Sequence, residues 1–282
     1  MEAQLEQIRE QQKETWNKFS SGWRKWDDFT MEWLRPMGTE IINSLKLKPT
    51  DVVLDVAAGT GEPGLTIATI VTDGKVIITD LAEGMLDVAR DNAAKKGVTN
   101  CEFVRCDVCE LPFDDETFDA ISCRFGFMFF PDMLLAAKEM ARVLKPGGRI
   151  AAAVWGAPNK NFWIMATMSV INQHMQLPAP PQGAPGMFRC AAPGFLADLF
   201  AQAGLKNITK KEVNGKLDSG TTTNYWSFMN DVAAPVVAAL SKADDNTKEK
   251  IRNSVFEVLT QAQSHGSISL DYGTIIISGE KG

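Results

Sequence analysis

The chain has 282 residues, 45% hydrophobic and 23% charged, the balance of a globular protein built as one large domain or as a core with an added lid. A formal net charge of −6 argues against a nucleic-acid surface, which needs a basic face, and no stretch approaches the roughly 20 uninterrupted apolar residues of a membrane span. The acidic opening M-E-A-Q-L-E-Q-I-R-E is no secretory signal, so a cytoplasmic protein is expected, with its oligomeric state open.

Residues 1–48 read as an N-terminal helical cap. Leu5, Ile8, Gln12, Trp16 and Phe19 follow a helical stripe, and W-R-K-W-D-D-F-T-M-E-W then brings Trp23, Trp26, Phe29 and Trp33. Packing onto the following domain accounts for most of these rings.

The pattern changes at Asp51–Gly64, D-V-V-L-D-V-A-A-G-T-G-E-P-G. Val52, Val53, Leu54 and Val56 form a short β-branched run met at once by glycines, as a buried central strand entering a tight turn does. Gly59, Gly61 and Gly64 let the backbone lie against a ligand, and Pro63 suits the first turn of a helix. A second apolar strand, V-I-I-T-D, ends in Asp80, about 20 residues on, where a carboxylate meets the ribose of a nucleoside. The glycine spacing also fits a dinucleotide fingerprint. A pyrophosphate, however, would dock beside Asp55 and Glu62, and like charges about 4 Å apart repel by roughly 4 kcal/mol at an effective dielectric near 20. S-adenosylmethionine has no phosphate and carries an ammonium and a sulfonium. Asp55, directly or through water, can then attract the methionine end while Asp80 takes the ribose.

From residue 50 strand and helix alternate, which implies a parallel sheet. Strands are expected near 52–56, 75–79, 102–106, 117–123 and 148–154, and helices near 63–71, 83–96 and 132–144. Ligands of such sheets gather beyond the carboxyl ends of strands. The fourth strand runs into S-C-R-F-G-F-M-F-F, so Arg124, Phe125 and Phe127 should border the cofactor's methionine part, with Arg124 suited to a carboxylate. Phe129 and Phe130 are expected to pack the next helix. Cys106 and Cys109 form a lone C-x-x-C without a second pair or spaced histidines; they read as buried, reduced thiols, and no metal site is expected.

V-L-D-V-A-A-G-T-G at 53–61, L-P-F-D-D-E-T-F-D at 111–119 and R-V-L-K-P-G-G-R at 142–149 resemble the class I S-adenosylmethionine-dependent methyltransferases, in particular the branch of the ubiquinone/menaquinone C-methyltransferases. The likeness is nearly continuous from about 45 to 155. It implies a doubly wound α/β fold, Rossmann-like, with a seven-stranded, mainly parallel sheet whose last strand is antiparallel. It implies S-adenosyl-L-methionine as cofactor and S-adenosyl-L-homocysteine as its product, with residues 49–155 as the binding core. On the matching positions it places Ala57, Gly59, Thr60 and Gly61 in the cofactor loop, Leu81 and Met85 beside the adenine, and Asp107 and Val108 at the adenine amino group and ring. It also implies that N-terminal helices close over the cofactor, which makes Trp23 a candidate for the acceptor pocket. The quinone enzymes carry a glycine-led segment with an Arg-Asn pair after Phe-Gly. This chain has Phe127-Met128-Phe129-Phe130 instead, which argues against a quinone ring as acceptor.

Beyond Trp155 lie an inserted lid (156–192) with a helix at about 162–176, then a core helix and strand (193–217). A second helical insertion follows (218–266), with helices at about 229–240 and 245–262, and then a final strand, Tyr272 to Gly279, within 267–282. Both insertions leave a parallel strand at its carboxyl end, so they start on the cofactor edge and can roof it. Trp155, Trp163, Met187, Phe188, Tyr225 and Trp226 join Trp23 and Phe127 as the candidate acceptor pocket, aromatic and methionine side chains giving large, adaptable apolar contact. The expected chemistry is in-line methyl transfer to a small apolar or aromatic molecule, for which alignment and exclusion of water can suffice. If a base is needed, His174 on the first lid helix is the candidate; His265 reads as a helix end. An NAD(P)-dependent oxidoreductase using the same glycine loop and a non-catalytic binder of the cofactor are the alternatives.

Overall fold

The computed structural model describes residues 2–178, 181, 183–264 and 266–282. His265 therefore lies outside the described residues. Two helices, α1 (Glu2–Lys25) and α2 (Asp27–Leu45), precede β1 (Val52–Val56), α3 (Gly64–Ala68), β2 (Lys75–Asp80), α4 (Glu83–Lys96), β3 (Cys101–Arg105), β4 (Phe118–Arg124), α5 (Met133–Val143) and β5 (Leu144–Trp155). Then come α6 (Phe162–Met175), α7 (Phe195–Gln202), β6 (Leu205–Gly220), α8 (Thr222–Val232), α9 (Ala234–Leu240), α10 (Asp245–Gln261), the two-residue β7 (Gln263–Ser264) and β8 (Ser267–Lys281).

Seven strands form one sheet in the order β3-β2-β1-β4-β5-β8-β6, with β7 paired to β8. The first five are parallel and β8 runs antiparallel to both neighbours. This is the doubly wound, Rossmann-like α/β class. Val53, Leu54 and Val56 are at most 1% exposed, because β1 is central and helices cover both faces of a parallel sheet. The winding reverses between β1 and β4, and their carboxyl ends open the crevice where such sheets take ligands.

Helix α2 lies against β4, β5 and β8. Its buried residues Thr30, Trp33, Leu34, Met37, Gly38, Ile41 and Leu45 recur at helical spacing, so one face is committed to the core. Helix α1 crosses to α4 and α8. At Gly22 a Cβ would stand 2.0 Å from the carbonyl oxygen of Asp231, so only glycine permits this approach to α8. Lys25 (2.6 Å) and Trp26 (2.8 Å) donate to the Asp231 carboxylate beside it.

Three elements differ from the sequence expectation. The segment Thr222–Met229 is helical: α8 starts there because the Thr221 hydroxyl accepts the Asn224 amide N–H at 3.1 Å, and it stops at Ala233 because Pro235 begins α9. Strands β6 and β8 form a longer antiparallel ribbon than expected. Ser269 and Asp271 alternate with buried Ile268 and Leu270 and still pair with β6, while Ser267 pairs with Ser264 of β7. Lys145-Pro146-Gly147-Gly148 is no separate turn but the irregular start of β5, where the register with β4 shifts between Phe118 and Ala120. Among the described residues no helix is long and apolar enough to cross a membrane.

Candidate active site

The carboxyl ends of β1, β2, β3 and β4 open into one cavity, roofed by α1, α2, α6 and the α8–α9 turn. It encloses about 1400 Å³ of non-atom space, part of it continuous with solvent. At the two reversing strand ends, Ala57 (φ 51°) and Phe125 (φ 63°) hold left-handed backbone, an unfavourable conformation for residues with a Cβ. Such strain persists where the surroundings impose it, often at ligand sites. Gly126 follows Phe125 with no room for a side chain: a Cβ would lie 2.8 Å from that of Ala57.

The strand ends supply the nucleoside side. Ala57, Gly59, Thr60, Asp80, Leu81, Met85, Asp107, Val108, Arg124 and Phe125 all line the cavity. Gly59 has φ +57°, and a Cβ built on it meets no protein atom within 4 Å, so the loop offers a ligand a bare backbone. The Asp80 carboxylate accepts the amide N–H groups of Gly59 and Ala82, each at 2.9 Å, and its pKa is raised by burial against the pull of those amides. Asn92 ties the loop to the cap, its amide donating to the Thr60 carbonyl (3.0 Å) and to Asp27 (3.1 Å).

Two expected cofactor residues stand back from the cavity. Gly61 turns the loop inward, its amide donating to the Ala58 carbonyl at 3.0 Å, and does not line the space. Asp55 is fully buried behind the loop. It accepts the Ser122 hydroxyl at 2.6 Å and the Gly64 amide at 2.9 Å, so direct contact with a ligand is ruled out by its position and its partners. Gly64 is required there, since a Cβ would sit 2.6 Å from the Asp55 carboxylate.

Burial also pushes the Asp55 carboxyl up to about 7, outweighing the hydrogen bonds and the nearby Arg124. The ordinary value is 3.8, so between the two the folded state holds a proton that the unfolded chain has lost. The resulting stabilisation is complete below about pH 4 and disappears as pH rises through about 7, amounting to roughly 4 kcal/mol. Asp55→Asn has nothing to titrate at this position. Chemical denaturation of the ligand-free protein should therefore show a steeper loss of stability from about pH 4 to 7 in the wild type than in Asp55→Asn. Equal slopes would mean that Asp55 is ionised in the fold.

The charges differ from the simple picture of exposed acids. Glu62 is paired with Lys96, and Asp107 with Arg9 of α1, while the second Asp107 oxygen accepts the Cys109 amide at 2.9 Å. Asp80 has no cationic partner among the described residues. Arg124 forms no ion pair among the described residues; its hydrogen bond goes to the Met31 sulfur at 3.3 Å, and burial lowers its pKa. Among the described residues the cavity thus holds one free carboxylate near the ribose position, Asp80, and one free guanidinium near the fourth strand, Arg124. Those are the partners a nucleoside bearing an amino-acid tail needs.

The remaining wall is aromatic. Phe125 stacks on Trp155 with centroids 4.2 Å apart, Trp155 on Trp33 at 5.8 Å, and Trp163 tilts against both. Trp23 and Met187 also line the cavity, as expected. Four other candidates do not. Phe127 is fully buried against Phe130 and Phe200 on the far side of the strand end. The Tyr225 hydroxyl donates to the Trp163 carbonyl at 2.6 Å, so the ring supports the wall from behind. Phe188 and Trp226 lie outside the lining. His174 is exposed and meets Ser254 of α10 at 3.2 Å, away from the cavity, so it cannot serve there as a base.

Phe129 and Phe130 do line the cavity, against expectation, because the short 3-10 turn Phe127–Phe129 puts Phe127 and Met128 into the core and brings Phe129 and Phe130 to the cavity. Trp16 meets Phe129 edge-on at 5.1 Å. Gln12, Thr30, Trp33 and Phe228 are further lining residues; sequence reading gives Gln12 and Trp33 only a place on the cap helices and does not name Thr30. The buried stripe of α2 carries the signal for Thr30 and Trp33. Cys106 also lines the cavity, its thiol pushed up to about 12 by burial, so it stays protonated.

The sequence model of the ubiE/COQ5 methyltransferase family matches residues 21–167, just over half of the chain, from the end of α1 to the middle of α6. A ubiquinone/menaquinone biosynthesis C-methyltransferase of Cellvibrio japonicus is 42% identical over 112 residues, 39% of this chain and 45% of that protein. The chain thus spans about half the length of the quinone methyltransferases it matches. An uncharacterized protein of Mycobacterium tuberculosis is 28% identical over 252 residues, 89% of this chain and 88% of its own. The crystal structure of YcgJ from Bacillus subtilis superimposes with a TM-score of 0.59 at 22% identity, covering 86% of this chain and 97% of that one, which is a likeness of fold.

Proposed function

The chain belongs to the ubiE/COQ5 methyltransferase family, and from that premise we propose that it transfers the methyl group of S-adenosylmethionine to a small apolar or aromatic acceptor beneath its helical cap. The observation that carries this reading is the continuity of one cavity from the strand ends that suit a nucleoside to a wall of stacked indoles. When bound, S-adenosylmethionine supplies an electrophilic methyl group on a sulfonium for direct displacement by a nucleophile.

The residues divide the work. Asp80 takes the ribose hydroxyls, Leu81, Met85 and Val108 flank the adenine, and Arg124 takes the carboxylate of the methionine tail. Gly59 and Thr60 bring backbone close without a side chain in the way. Asp55 acts at one remove, holding Gly64 and Ser122 and adding negative potential when ionised. Phe125, Trp155, Trp163 and Trp33 exclude water and fix the acceptor's plane, which alignment-driven catalysis requires. Among the described residues no histidine lines the cavity, and its acids are paired, held by backbone amides or placed at the nucleoside end. The acceptor therefore brings its own nucleophile, such as an electron-rich carbon or an oxygen already ionised.

In this reading residues 1–48 are the cap, 49–155 the cofactor core, and 156–192 and 218–266 the lid insertions carried on the core elements 193–217 and 267–282. Arg9 on Asp107 and the Asp231 cluster hold the cap down. The test is calorimetric titration with S-adenosylmethionine, S-adenosylhomocysteine and NAD(H), followed by mass spectrometry after incubation with methyl-labelled cofactor and a panel of apolar and aromatic acceptors. Binding of the first two ligands, none of NAD(H), and a labelled product are expected. Tight NAD(H) with no S-adenosylmethionine would favour an oxidoreductase, and binding without product from any acceptor a non-catalytic role.

A further inference from the structure

Helix α1 ends at Lys25 and α2 begins at Asp27, so Asp27 stands at the elbow of the cap, and from there it reaches the cofactor loop from behind. Asn92 of α4 is 6% exposed, and both N–H groups of its side-chain amide are spent, one on the Thr60 carbonyl at 3.0 Å and one on an Asp27 carboxylate oxygen at 3.1 Å. Thr60 lines the cavity, whereas Asp27 and Asn92 do not. Other peptides of the loop are pinned from within the core: the Ala58 amide by Thr79 at 2.9 Å, the Gly59 amide by Asp80 at 2.9 Å and the Gly61 amide by Ala58 at 3.0 Å. The anchor on the Thr60 carbonyl instead leads outward, through Asn92 to the cap. The second Asp27 oxygen and the Thr60 hydroxyl are both buried without a hydrogen-bond partner among the described residues. Burial raises the Asp27 pKa, and the Thr60 hydroxyl lies near enough to pull it back.

We propose that Asp27 and Asn92 are positioning residues for cofactor binding: through them the elbow of the cap holds the Thr60–Gly61 peptide in the orientation that presents the loop to its ligand. This assignment rests on the S-adenosylmethionine reading of the cavity and extends it to residues outside the lining. A carbonyl and a carboxylate only accept, so the Asn92 amide is fixed with its nitrogen toward both. The carboxylate polarises that amide and strengthens its hold on Thr60, as linked hydrogen bonds do in a buried setting. When the elbow lifts, the Asn92 amide loses one partner and the Thr60 carbonyl loses a fixed donor. Coupling of this kind is reciprocal: docking the elbow raises cofactor affinity, and the cofactor tightens the elbow by the same factor. The simpler role for Asp27 is that of an acid in the first turn of α2, where negative charge favours the helix whatever the loop does.

The test is a double-mutant cycle on the full chain, read by calorimetric titration with S-adenosylhomocysteine. Asp27→Ala and Asn92→Ala should each weaken binding about five- to tenfold, the effect of one lost hydrogen bond. The double variant should be at most about twofold weaker than the worse single, because both residues act through one chain of bonds. Asp27→Asn keeps an oxygen for the Asn92 amide and should bind within about threefold of wild type. In the wild type the ligand should slow amide hydrogen exchange from Trp26 to Thr30 severalfold, and in Asp27→Ala it should not. Unchanged affinity in Asp27→Ala, losses that multiply in the double variant, Asp27→Asn as weak as Asp27→Ala, or wild-type exchange at the elbow that ignores the ligand would each overturn the proposal. So would a loss of stability with affinity intact, the mark of a helix-end charge. If Asn92→Ala does not fold, the two Asp27 variants decide the matter. Failure of S-adenosylhomocysteine to bind the wild type would instead refute the cofactor reading, and it is scored before any variant is made.

Discussion

Asp80→Ala should weaken S-adenosylmethionine and S-adenosylhomocysteine binding roughly ten- to a hundredfold, the loss of a charge-assisted hydrogen bond worth about 1.5–3 kcal/mol. The carboxylate has two tasks at once. It accepts the Gly59 and Ala82 amides, and thereby fixes the backbone between the glycine loop and α4, and it carries a negative charge at the nucleoside end that has no ion-pair partner among the described residues. Alanine orphans both amides as well as any ribose hydroxyl, so unfolding free energy should fall too, by about 1–3 kcal/mol. Asp80→Asn keeps an acceptor oxygen for one amide and loses the charge, and should lie between wild type and alanine in affinity. Isothermal titration with the demethylated cofactor is the measurement. Unchanged affinity in Asp80→Ala would remove this residue from the site.

Trp163→Ala should separate the two ends of the cavity. Trp163 is 5% exposed, packs on Trp33 and Trp155, and offers its carbonyl to the buried Tyr225 hydroxyl. Removing the indole leaves a void in the aromatic wall and should cost about 3–5 kcal/mol of stability, a large part of a typical margin of 5–15 kcal/mol. Cofactor affinity, set by strand ends on the other side of Phe125, should change by less than about threefold at a temperature where the variant is folded. Methyl transfer to any acceptor accepted by the wild type should fall by at least tenfold, because the acceptor loses one wall that fixes its plane and water gains access. A variant with intact turnover and lost cofactor affinity would place Trp163 at the wrong end.

Most of the sheet was legible because central parallel strands are written in runs such as Val52–Val56 and Lys75–Asp80, whose ends are punctuated by glycine and aspartate. Those strand ends are local in sequence, and so is the nucleoside side built on them: Ala57 to Thr60, Asp80 to Met85, Asp107 and Val108 fall at the cavity through strand and turn geometry alone. The acceptor wall is not local. It joins residues of α1, α2, α6 and α8 that meet through packing, and helical periodicity marks a buried face without saying what that face is buried against.

The amino-acid sequence by itself thus determined the α/β class, the cofactor loop and the carboxylate that ends the second strand, since short-range backbone preferences and apolar periodicity suffice for them. Tertiary structure alone decided that Phe129 and Phe130, rather than Phe127, line the cavity, because the 3-10 turn Phe127–Phe129 buries Phe127 and Met128 in the core. It also decided that Asp55 stands behind the loop with its oxygens taken, that His174 meets Ser254 instead of a substrate, and that Trp33 keeps an unpaired N–H. In each case the deciding fact is which partner a side chain finds across a long stretch of chain, and that is fixed only once the helices have packed.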